Sequence, residues 1–289
     1  MKRFLHRCLN KRKSAGAKAP QSLKSKSREK SEGLHVLLDP PLSERSLDVV
    51  LIHGLHAHWL DSYTDRATGV CWMRDLLPLD LPNSPFRLLS FGYDTGASDS
   101  EPMEVMTRNF LCKLIDLRRE TQTDALPLLF IAHSLGGIIL KSALALSADA
   151  HDALCVAPAT ALFFGVPTNY VRDYERIRSD AADEITMSPP MRVFRQDLVF
   201  LGATNVRFDD AGLPARFHCQ YFTENTGLED VRPLEEGELA RLPTQERIRL
   251  SKGHGPMVRY ADREEPDYQR VAACVKAAVE RLLASAPPT

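Results

Sequence analysis

Six consecutive residues, Ala132-His133-Ser134-Leu135-Gly136-Gly137, carry the strongest chemical signal in the chain. They lie between an apolar run that reads as a strand, PLLFIAH (127–133), and a run that reads as a helix from Leu135 to about Ala148. A serine at such a junction sits on a strained turn that pushes its Oγ off the strand end, which requires small residues two positions away on either side. Gly136 meets that requirement on one side, and Ala132 stands on the other, where a glycine is more usual. Gly137 allows close packing of the helix. The N–H of Leu135, at the helix start, faces an oxyanion developing on a substrate carbonyl, aided by the helix dipole.

A serine nucleophile needs a base and an acid. In chains with this kind of elbow they follow the serine in the order acid, then histidine. Only His151, His218 and His254 follow Ser134. His151 is about one helix away, too near to swing back, and His218 reads as part of a strand, RFHCQYF (216–222). His254 lies between Gly253 and Gly255 in a loop before the last helix, so it is the expected base. The acid should leave the end of a late strand, and Glu224, just after RFHCQYF-Thr223, is the first choice, with Asp230 and Asp209 as alternatives. Either carboxylate type can hold the imidazole tautomer and stabilise imidazolium. The second oxyanion donor is expected after the first strong strand, at His53-Gly54-Leu55, where Leu55 supplies the N–H and His53 braces the loop.

The elements that must position these residues alternate strand and helix. LDVVLIH (47–53), FRLLSFGY (86–93), PLLFIAH (127–133) and ATALFFGV (159–166) read as buried strands. Helices are expected over 104–120, from 135 to about 148, and at the C-terminus, where Val271, Val275, Ala278, Val279 and Leu282 form one stripe. A weak strand is read at 228–232 and an apolar helical patch at 191–201. The pattern implies an α/β fold with a mainly parallel sheet covered by helices on both faces. Residues 168–215 are charged and irregular and read as a cap or insert over the pocket. Residues 33–289 are expected to form one domain.

Charge divides the chain differently. Its 289 residues carry a net charge of −1, but residues 1–32 hold eleven Lys/Arg and two Asp/Glu, leaving the rest at −10. An acidic body repels nucleic-acid phosphate, so no nucleic-acid partner is expected. The basic, acid-poor start, with Met1, Phe4, Leu5 and Cys8 on one helical face, resembles a mitochondrial presequence and is a candidate for peripheral membrane contact. A disordered basic tail without an address is the alternative, which would leave the protein cytoplasmic. The six cysteines are at least 41 positions apart, with no CxxC pair. Free thiols are therefore expected, and neither a disulfide framework nor a zinc ribbon. No apolar run reaches the roughly 18–20 residues of a membrane span.

In several motifs taken together, the chain resembles the α/β-hydrolase family of serine-active-site-containing, lipase-like serine esterases. The resemblance rests on VVLIHGL (49–55), WMRDLLPLDLP (72–82), FGYDT (91–95), FIAHSLGG (130–137), LFFGVP (162–167), YFTE (221–224) and GHGPMVRY (253–260). It implies an α/β-hydrolase fold, Ser134 as nucleophile, His254 as base and Glu224 as acid. It further implies a small-molecule or lipid ester as substrate, no cofactor and no metal, and an association with mitochondria or endoplasmic reticulum. The chain departs from the family at His56 and Ala57, where two glycines are usual, at Thr168-Asn169 and at Gly253. Two rival readings follow. A module that keeps the fold but acts in binding or signalling is the stronger. A metallohydrolase using His53, His56, His58 and Asp61 is the weaker, because the tighter H-x-H-x-D-H array is incomplete.

Overall fold

A computed structural model describes residues 32–55, 57–94, 102–150, 157–166, 198–224 and 247–285. Seven strands form one sheet: β1 (Gly33–Leu38), β2 (Leu47–Ile52), β3 (Phe86–Gly92), β4 (Leu128–His133), β5 (Ala159–Phe164), β6 (Gln220–Thr223) and β7 (Arg247–Arg249). Their order across the sheet is β1-β3-β2-β4-β5-β6-β7. β1 runs antiparallel to β3, and every other neighbouring pair is parallel. The helices are α1 (Trp72–Asp75), α2 (Leu77–Asp80), α3 (Met103–Glu120), α4 (Leu135–Ala150), α5 (Leu198–Asp210), α6 (Leu213–Arg216) and α7 (Pro266–Ser285).

Side chains alternate across a strand, and that alternation builds two cores. Val50 and Ile52 of β2 join Phe130 and Ala132 of β4 and Phe163 of β5 on one face, under α3, α4 and α5. Val49, Leu51, Leu129, Ile131 and Phe164 turn to the other face, where Trp72, Leu77, Val271, Val275 and Val279 cover them. A strand buried on both faces can be apolar at every position, which is why these runs carry no polar alternation.

Chain direction positions the site. From β2 the chain goes outward to β3 and then returns to β4 on the other side of β2. The loops leaving β2 and β4 therefore diverge, opening a crevice at their carboxyl ends, the usual ligand-binding location in such sheets.

Several expectations need correction. The strand expected over 216–222 begins only at Gln220: residues 213–216 form α6, and His218 has φ 43°. His218 is thus in a left-handed turn entering the strand. β1 and β7 were not anticipated. The expected cap divides in two. Residues 168–197 lie outside the described residues, whereas α5 packs on α4 and buries Phe208 in the core, so 198–210 is a covering layer of the sheet. The expected strand at 228–232 and most of the 191–201 patch also lie outside the described residues. Cys71, Cys112, Cys219 and Cys274 form no disulfide among the described residues.

Candidate active site

Ser134 follows the last residue of β4 and precedes the first residue of α4. Its φ is 52°, a left-handed conformation that costs an L-residue of this kind about 1–3 kcal/mol. The strain has visible supports. The Ser134 N–H donates to the Phe164 carbonyl at 2.8 Å, and the Gly137 N–H donates to the Ser134 carbonyl at 3.0 Å. A Cβ on Gly136 would stand 2.3 Å from the carbonyl oxygens of both Ile52 and His53. Glycine is therefore demanded because α4 starts directly across the end of β2. A Cβ on Gly137 would meet the Val166 side chain at 2.2 Å, so this glycine admits the chain leaving β5.

His254 bridges the other two residues. Its Nε2 lies 3.0 Å from Ser134 Oγ and its Nδ1 lies 2.6 Å from Glu224 Oε2. A carboxylate only accepts, so Nδ1 carries the proton and Nε2 presents a lone pair to the serine hydroxyl. The Glu224 side chain is 7% exposed and that of His254 32%, so the carboxylate is enclosed while the imidazole is partly open to solvent. Glu224 stands one residue past β6, and β6 pairs with β5 through Phe164↔Phe222. Of the alternative acids, Asp209 is not the carboxylate against His254 Nδ1, which is Glu224. Asp209 lies on α5 near the buried Lys141, and burial raises its pKa more than Lys141 lowers it. Asp230 lies outside the described residues.

The loop bearing His254 is held from several sides. The Asp267 carboxylate at the start of α7 accepts from the Ser251 N–H and hydroxyl at 2.7 Å and from the Lys252 N–H at 3.1 Å. The Trp72 indole N–H donates to the Val258 carbonyl at 2.8 Å across 186 positions of sequence. Gly165, with φ 56°, lies against the imidazole: a Cβ there would stand 2.9 Å from His254 Nδ1 and 3.0 Å from Cε1. The motifs around Trp72 and Gly165 were noted in the sequence; in the structure these two residues contact the loop and the ring of His254. A glycine directly after an apolar strand, two residues before Pro167, is the one local signal that could have marked Gly165.

The expected oxyanion donors are placed compatibly. Leu135 is the first residue of α4, so its N–H is among the four that have no partner within a helix. Gly54 passes close to the serine, since a Cβ on it would stand 2.9 Å from Ser134 Cβ, and Leu55 follows in the same turn. His53 braces this loop. Its Nδ1 lies 2.8 Å from the Gly54 carbonyl, its ring stacks on Tyr93 at 4.2 Å, and its own carbonyl accepts from the Tyr93 hydroxyl. Burial pushes its pKa down to about 4, so it is neutral.

Among the described residues no group of three or more His, Cys, Asp or Glu side chains is arranged to hold a metal ion. His53 is committed to the bonds just given, and His58 Nδ1 accepts from the Leu60 N–H at 3.3 Å. His56 lies outside the described residues.

Residues 44–167 match the family model described as "Putative serine esterase (DUF676)". That stretch runs from just before β2 to just beyond β5 and contains Leu55, Ser134 and Leu135, whereas Glu224 and His254 lie past it. Protein SERAC1 of Danio rerio is 29% identical over 143 residues, which is 42% of this chain and 21% of that protein. The match thus spans about a fifth of the relative's length. Among solved structures, the ancestral haloalkane dehalogenase AncHLD2 aligns with TM-score 0.50 at 12% identity, covering 88% of this chain and 96% of that one. A carboxylesterase of the thaumarchaeon Nitrososphaera gargenis aligns with TM-score 0.47 at 17% identity over 86% and 95% of the two chains. At such identity the AncHLD2 likeness is one of fold. Over residues 44–167 the chain is therefore similar to the DUF676 family of putative serine esterases, and as a whole it has an α/β-hydrolase fold.

Proposed function

We propose that the protein hydrolyses carboxylic esters with Ser134 as nucleophile, His254 as general base and Glu224 as the acid that orients it. The observation that carries this reading is the His254 bridge, with one ring nitrogen on the serine hydroxyl and the other on a shielded carboxylate.

The chemistry runs in two steps. His254 Nε2 takes the Ser134 proton as Oγ bonds to the ester carbonyl carbon, and the resulting oxyanion is held by the N–H groups of Leu55 and Leu135. Glu224 remains ionised and stabilises the imidazolium. The tetrahedral adduct collapses, the carbon–oxygen bond to the alcohol breaks, and the leaving alkoxide takes the proton from Nε2. Water then attacks the acyl-serine with His254 again as base, releasing the acid and restoring Ser134.

The substrate class is a small-molecule or lipid ester. The basic tail over 1–32 carries no residue of this chemistry, and its charge suits an address to an anionic membrane surface or an organelle. Deleting 1–32 should therefore change location and leave turnover unaltered.

The test is hydrolysis of a chain-length series of p-nitrophenyl esters by the wild type and Ser134→Ala. The reading expects wild-type turnover with an initial burst and a preferred acyl length, both absent in the variant. Equal rates for the two proteins would reject it.

A further inference from the structure

His133 has no part in the steps above, although it adjoins the nucleophile. Strand alternation turns it to the face carrying Leu129 and Ile131, the face covered by α7 and by Met257 and Val258 of the base loop. There its Nε2 lies 2.9 Å from the main-chain oxygen of His254. A carbonyl can only accept, so Nε2 carries the proton and Nδ1 is left as a bare lone pair. That Nδ1 is buried without a hydrogen-bond partner among the described residues, 3.2 Å from where a Cβ on Gly54 would stand. The His133 and His254 rings lie 4.9 Å apart between centroids, with their planes tilted by 40°.

We propose that His133 is a positioning residue for the base, its Nε2–H fixing the main chain at residue 254 so that the imidazole stands between Ser134 and Glu224. The inference rests on the reading of His254 as the base. The bond ties the strand end that presents the nucleophile directly to the residue that must face it, 121 positions later. Asp267 and Trp72 hold the flanks of the same loop through Ser251, Lys252 and Val258, whereas His133 holds residue 254 itself. A misplacement of about 1 Å at a reacting group can cost on the order of 10²-fold in rate.

The tautomer matters as much as the ring. A protonated His133 would place a second N–H beside Gly54 with no acceptor, and a second cation beside an imidazole that must itself become positive. Burial and the facing His254, Arg259 and His53 disfavour that form and outweigh the backbone bond to His254, so that its pKa falls to about 3. His133 is thus a single-donor clamp across the neutral range.

The test compares His133→Gln, His133→Asn and His133→Phe in the full chain. A glutamine amide nitrogen reaches the position of imidazole Nε2, an asparagine falls one bond short, and phenylalanine keeps the ring without a donor. The glutamine variant should keep kcat within about fivefold of wild type. The asparagine and phenylalanine variants should lose about 10–10²-fold in kcat, with KM changed less than about threefold. A second readout is the downfield proton resonance of Nδ1–H in the His254–Glu224 bond, which should persist in the glutamine variant and vanish in the other two. Because the resonance is read without turnover, a wild type that cleaves no ester would sink the esterase reading while the spectra still decide this one. A folded phenylalanine variant with wild-type kcat and resonance overturns the proposal. If phenylalanine does not fold, equal behaviour of the glutamine and asparagine variants overturns it.

Discussion

The two ends of the parallel sheet differ in what their polar side chains are joined to. At the amino end, Asp48 of β2 receives Arg87 of β3 through two bonds of 2.8 Å and Arg118 of α3 through one of 2.5 Å. Arg87 also donates to the hydroxyls of Thr121 and Thr123 at 2.9 Å, and Arg118 to the carbonyls of Asp124 and Leu126. All three ionic side chains are almost wholly buried. This network ties the starts of two central strands to the end of a helix. At the carboxyl end, Ser134 is held in a left-handed conformation and His254, which bridges it to Glu224, is one-third exposed. The amino end has its charges largely paired, which suits a support. The carboxyl end sets a left-handed serine beside a partly exposed imidazole, which suits chemistry. Activity and stability should therefore separate along the strand axis.

Breaking each end in turn sharpens that contrast. Ser134→Ala should lower kcat/KM by about 10⁴–10⁶-fold with little change in melting temperature. Ser134→Gly should be equally inactive yet more stable by about 1 kcal/mol, because glycine adopts φ 52° without strain, as chemical denaturation would reveal. Glu224→Gln should reduce kcat by about 10²–10⁴-fold, since the amide no longer favours the required tautomer or the imidazolium. At the other end, Asp48→Asn should leave turnover per folded molecule unchanged. It should destabilise by about 3–5 kcal/mol, because two buried guanidinium groups lose their counter-charge. Inactivity of a fully stable Asp48→Asn protein would refute the separation.

Smaller effects are expected from Gly165→Ala and from pH. The alanine Cβ would press on the His254 ring, so kcat should fall about 10–10²-fold. His53 and His133 have pKa values depressed by burial to about 4 and about 3. The unfolded chain, with histidines near 6.5, therefore binds more protons than the native one between those values. Stability should fall as pH drops from about 6.5 toward 3. His133→Gln should flatten that slope in denaturation curves taken across the range.

How much of this was legible in the sequence follows from how local each constraint is. The elbow at 132–137 was readable because its strain and crowding fall on immediate neighbours. The approach of Glu224 and His254 to Ser134 was readable because chain order limits which residues can reach a strand end or the last loop. β1, on the sheet edge, buries only part of each side chain and so shows no continuous apolar run. β7 is three residues, Arg-Ile-Arg, too short for any period. The alternation in RFHCQYF could not reveal that the turn at His218 interrupts it. The roles of Gly165, Trp72 and His133 depend on partners about 90 to 190 positions away, which no local pattern encodes.

The central claim is that Ser134 is a nucleophile activated by His254. Its most direct test is reaction of the folded full chain with a fluorophosphonate probe, read as intact mass and mapped by peptide. One adduct per chain on Ser134, absent in Ser134→Ala and strongly slowed in His254→Ala, is the predicted result. Folded wild-type protein that takes no label, or takes it at another residue, would contradict the account.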